Sequence, residues 1–177
     1  MNRLHYWIIV VGVVCVGINV DVNNWELFPT CFGYAMIGIA VWNLRDEDVI
    51  FKYASIPAAL LALLALPVFL KGGMPLGAEE SPAFAAYDSI VFYPYTVMHI
   101  LLFAGIAAAI ARLASRWNEE PLCRLAITAG ACAVLFEIPR FFLPFPSRPY
   151  YVAFFLCTSL SMLLVGISAA TAARKFP

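Results

Sequence analysis

Three residues in one apolar stretch carry groups able to move protons or hold a cation: Asp88, Tyr95 and His99. Their spacings of seven and four bring them within about 40° of one another on a helix that turns about 100° per residue. Thr96 lies beside them, and Pro94 interrupts the amide ladder between Asp88 and His99. A kink at that proline would turn backbone carbonyls towards the same region. One reading is a polar track for a proton, an ion or a ligand group. The other is a histidine bonded to a neighbouring helix that pins the bundle. A second pair of charges closes another apolar stretch, in "LFEIPRFF", residues 135–142, where Glu137 and Arg140 stand three apart. The simplest reading is a structural ion pair: they share a helix face, and together they are far less costly in low dielectric than either alone. The alternative places Glu137 with Asp88 around one outward-facing pocket. The candidate ligand-binding residues are therefore Asp88, Tyr95, Thr96, His99 and Glu137, and the candidate structural pair is Glu137 with Arg140.

The elements that must position these groups follow from composition. Of 177 residues, 63% are apolar and 12% charged, and the mean hydropathy is +0.86. Soluble domains carry about twice that share of charge. A chain of this kind needs lipid as solvent. Six apolar runs stand against the ~20 residues that cross a bilayer: 4–20, 29–44, 50–70, 87–113, 122–142 and 150–173. The expected fold is all-α, one polytopic membrane helix bundle over residues 1–177 with six transmembrane helices, or five if the second run is re-entrant. The first run is not read as a cleaved signal, because only Arg3 precedes it and "NVDVNN" has no small-x-small site.

Basic residues give the orientation. With six helices, Arg3, Arg45, Lys52, Arg112, Arg116, Arg124, Arg174 and Lys175 fall on one side, and Lys71, Arg140 and Arg148 on the other. Both termini are therefore expected in the cytoplasm of a cell-membrane protein. The opposite side holds Asp21, Glu26, Glu79, Glu80, Asp88 and Glu137. Those acids serve either loop solubility or a cation-attracting vestibule. The formal net charge of zero excludes a nucleic-acid binder that works through a basic face. Five cysteines lie in or beside apolar runs, none in CxxC, and read as small packing residues. Ala104, Gly105, Ala108 and Ala109, and Gly166, Ala169, Ala170 and Ala173, are spaced for close helix packing.

Catalytic motifs are thin. "EEPLCR", Glu119 to Arg124, matches the EExxxR of intramembrane CAAX-type proteases, but no histidine follows Arg124 to complete that chemistry. There is no GxSG with a downstream histidine, no cysteine pair for redox work and no histidine pair for haem. An enzyme is the less favoured class; no cofactor and no metal site are expected. One stretch, "INVDVNNWELFPTCFGYAMIGIAVWNL", residues 18–44, resembles the N-terminal signature of small uncharacterised multi-pass membrane proteins of Gram-positive bacteria. Phe28-Pro29 stands for that signature's Leu-Pro, Thr30 for its Asp/Asn, and Phe32-Gly33-Tyr34 for its Phe-Ile-Gly-Tyr. The resemblance covers the first third of the chain and implies topology, not an activity. Pro29 suits a helix's first turn, and Gly33 with Gly38 admits a second backbone at close range.

Three functions remain open from the sequence. The first is a small outward-facing solute- or cation-binding or transport component. The second is a non-catalytic accessory subunit of a larger membrane complex. The third is an intramembrane enzyme acting on lipid. The expected partners are the lipid bilayer, a small solute or cation, and other membrane subunits.

Overall fold

The computed structural model describes residues 2–17, 21–22, 25–26, 29–71, 82–141 and 148–176, with side chains at 3–17, 29–67, 69, 90–139 and 156–176. Among the described residues six helices carry the fold: α1 (Asn2–Gly17), α2 (Thr30–Asn43), α3 (Val49–Lys71), α4 (Pro82–Arg116), α5 (Glu120–Glu137) and α6 (Arg148–Lys175). A short 3₁₀ turn, Ile138–Phe141, prolongs α5. Asp21–Val22 and Trp25–Glu26 pair as a minimal antiparallel ribbon between α1 and α2.

Each helix packs on the next in sequence, and α6 returns to α1, so the six close into a ring. Helix α4 also touches α6 across it. The ring buries Tyr6, Ile9, Tyr34, Ile37, Phe51, Leu61, Phe103, Ile106, Ile110 and Val165. Its outer surface is equally apolar. Leu4, Trp7, Val11 and Val14 face outward from α1, Ile56, Leu60, Leu63 and Leu66 from α3, and Leu156, Leu160, Leu163 and Ile167 from α6. A surface of this kind is unfavourable in water, at roughly 25 cal/mol per Å² of exposed apolar area. Among the described residues, three helical segments are long and apolar enough to cross a membrane: Val49–Pro67, Ile90–Arg116 and Leu156–Lys175. Helices α1 and α2 are apolar but shorter, and α5 carries Glu120, Arg124 and Glu137 among its eighteen residues.

Small residues set the closest crossing. A Cβ on Gly12 would lie 2.8 Å from the Gly33 carbonyl oxygen, and one on Gly33 would lie 2.9 Å from that of Gly12. The α1 and α2 backbones are thus in direct contact, and a methyl group on either glycine forces them apart. Gly38 meets Ala58, Gly105 meets Ala54 and Gly130 meets Ala107. Ala109, Ala169 and Ala173 are buried as their spacing suggests, whereas Ala108 faces outward.

At one end of the ring the polar contacts tie several elements together. Arg3 Nε donates to the Phe176 carbonyl at 3.1 Å, joining the two ends of the chain. Lys175 Nζ lies 3.0 Å from Glu119 in the α4–α5 turn. Asp48 forms the centre of a larger clasp. Its Oδ1 accepts from the Ile50 amide at 2.9 Å, capping the start of α3. Its Oδ2 lies 2.9 Å from Arg116 Nη2 and 3.5 Å from Arg112 Nε. Asp48 is fully buried, while the two arginines stay about half exposed, at 51% and 52%. In the EExxxR stretch, Glu120 pairs with Arg124 one turn on, both exposed, and Glu119 pairs with Lys175.

Candidate functional site in the bundle interior

Helix α4 runs unbroken through Pro94, whose ring removes one amide donor from the ladder. Nearby, the Thr96 hydroxyl donates to the Phe92 carbonyl at 2.9 Å, and Thr96 is buried. Tyr95 and His99, one turn apart, stack with ring centroids 6.0 Å apart and planes at 17°. Tyr34 of α2 meets His99 edge-on, and its hydroxyl lies 2.6 Å from that of Tyr95, one donating to the other. Phe103 closes the other side of the imidazole, with centroids 4.6 Å apart.

The decisive contact comes from α5. His99 Nδ1 lies 3.1 Å from Glu137 Oε1, with side chains only 5% and 1% exposed. Two bare acceptors at that distance would repel, so a proton belongs on one of them. The contact depends on how α4 turns into α5. Asn118 adopts φ 56, the left-handed conformation in which asparagine is favoured after glycine. The Glu119 amide then donates to the Ala114 carbonyl at 2.8 Å, and the Asn118 amide to Ser115 at 3.2 Å. Those two bonds form the six-to-one and five-to-two pattern that ends a helix sharply. The tight reversal fixes the register of the antiparallel pair. His99 lies seventeen residues before Arg116, the last residue of α4, and Glu137 seventeen after Glu120, the first of α5. At 1.5 Å per residue both stand about 25 Å from the turn, and so face each other.

Comparison with known proteins gives no match. No family model, curated protein or solved structure is similar to this chain.

Of the residues singled out by sequence, Tyr95, His99 and Glu137 come together, and Thr96 is buried one position from Tyr95. The backbone of Asp88 belongs to α4 and that of Arg140 to the 3₁₀ turn. Both of their side chains lie outside the described ones, and with them the Asp88 end of the stripe and the Glu137–Arg140 pair. The α-helical bonding of α5 ends at Glu137, short of residue 142, because Pro139 cannot donate. Tyr34 escaped the sequence reading as a site residue, although it stands within Phe32-Gly33-Tyr34. Its only signal was a phenol on a strongly apolar helix. The Asp48 clasp was also missed; its signal was an aspartate directly before a helical run, a standard capping position.

Proposed function

We propose that the chain is a polytopic membrane protein of six spans with both termini in the cytoplasm, and that it is a small outward-facing component that binds or transports a small solute or cation. The observation that carries this reading is the His99–Glu137 pair at 3.1 Å, almost fully buried between α4 and α5. Ionisable groups inside an apolar bundle are costly, and they persist where they serve a pathway or a site. A merely structural pin between two helices needs no ionisable group, since a hydroxyl or amide bridge is cheaper in low dielectric. The Tyr34–Tyr95 hydroxyl pair extends the same polar layer to α2. The belt of outward-facing Leu, Val and Ile supports the membrane setting. The contacts among Arg3, Phe176, Lys175, Glu119, Asp48 and Arg116 gather both termini and two turns at one end, as an even number of spans requires.

Isolation in mild detergent followed by native mass spectrometry tests the reading. A small molecule or cation bound to wild type and absent from Glu137→Gln supports it. A stoichiometric partner protein retained equally by both would favour an accessory subunit instead. For topology, reporter fusions at residues 75 and 177 are expected to report opposite sides of the membrane.

A further inference from the structure

The layer that holds His99 and Glu137 has a third wall. Helix α6 lies beside α5 and touches α4, and Lys175 near its end pairs with Glu119 at the start of α5. Thr158 stands seventeen residues before Lys175 on α6, which puts it about 25 Å along the bundle, level with Glu137. It also points the right way. Met162 and Gly166 contact Gly17 and Val13 of α1, and Thr158 lies about 60° round from that face, towards the interior. The residue is only 6% exposed, yet its Oγ1 has no hydrogen-bond partner. Its carbonyl accepts from the Ser161 hydroxyl at 2.8 Å, so the backbone at this point is engaged while the side-chain oxygen is not.

A buried hydroxyl without a partner costs about 1–3 kcal/mol, and valine would fill the same space without that cost. Glu137 is unfavourable in a matching way. It is the last residue of α5, where the helix dipole is negative and a carboxylate is repelled. Two hard oxygen groups, one of them a carboxylate at the negative end of a helix, thus stand at one level of the bundle.

Building on the function proposed above, we infer that this layer binds a bare monovalent alkali cation, of the size of Na⁺ or Li⁺, between the Glu137 carboxylate and the Thr158 hydroxyl, with His99 positioning the carboxylate. One carboxylate balances one positive charge in a low-dielectric interior, whereas Ca²⁺ takes six to eight oxygen ligands, commonly several of them carboxylates.

The test is thermal unfolding of the full chain in detergent, with NaCl, LiCl or KCl replacing choline chloride at constant ionic strength. NaCl or LiCl should raise the wild-type Tm saturably above its value in choline. Thr158→Val should unfold in choline at the wild-type temperature or higher, but need about tenfold more cation for half its shift. Thr158→Ser, which keeps the hydroxyl, should respond like wild type, and Glu137→Gln should not respond. Thr158→Val with an unchanged response overturns the inference, as does a wild type that responds to no alkali cation. If that wild type still retains an organic molecule that Glu137→Gln loses, the proposed function stands and only the alkali site falls.

Discussion

Among the described residues two carboxylates are buried beside cationic or ionisable partners, and the chain treats them differently. Asp48 sits at the end of the ring where the termini meet. Both of its oxygens are used, one on an amide and one on two arginines, and the arginines keep about half their surface in solvent. Glu137 sits about 25 Å from the α4–α5 turn, against the imidazole of His99, which is itself buried. The first arrangement is a clasp: it caps a helix, ties two elements together and leaves its cations hydrated. The second ties α4 to α5, but does so with two almost fully buried groups whose burial brings no capping benefit. What separates the fastening from the proposed site is where the countercharge lives, in water or in the interior.

The contrast can be broken at either place. The largest effect is expected from His99→Leu, which leaves the Glu137 carboxylate buried without its imidazole. Removing one member of a buried pair costs about 3–5 kcal/mol, read as a lower unfolding midpoint in detergent. Adding Glu137→Leu should recover most of that loss, and a double mutant no better than the single would show that the two residues do not interact. At the clasp, Asp48→Ala removes a cap and the partner of two half-solvated arginines, and should cost about 1–2 kcal/mol. Part of that difference should shrink in high salt, because the arginines are screened there.

The turn that sets the register gives an intermediate effect. Asn118→Val places a β-branched residue at φ 56 and should cost roughly 1–2 kcal/mol, whereas Asn118→Gly should be neutral or slightly stabilising. The smallest effect is expected from Lys175→Ala. Its pair with Glu119 is partly exposed, and such pairs are worth about 0–1 kcal/mol.

Much of this was readable from the residues. Each of the six apolar runs overlaps a helix, because apolar length is a strong signal. Their ends shift where local chemistry intervenes: α5 stops at Glu137 before Pro139, and α4 reaches back to Pro82, which is tolerated in a first turn. The Tyr95–His99 alignment followed from helical periodicity alone. The approach of Glu137 to His99 was left open, yet "RWNEE" at residues 116–120 held the answer. A three-residue reversal around an asparagine forces an antiparallel register, and equal counts from it then select 99 and 137. The close approach at Gly33 was legible, but its partner Gly12, and the places of Tyr34 and Thr158, were not. Each depends on which helices neighbour one another around the ring, and no local pattern encodes that closure.

The most direct measurement of the contrast is native mass spectrometry of three proteins purified alike: wild type, Glu137→Gln and Asp48→Asn. The account predicts that Glu137→Gln folds and loses the bound small molecule or cation, while Asp48→Asn is less stable and keeps it. Ligand retained by Glu137→Gln, or lost from a folded Asp48→Asn, would contradict it.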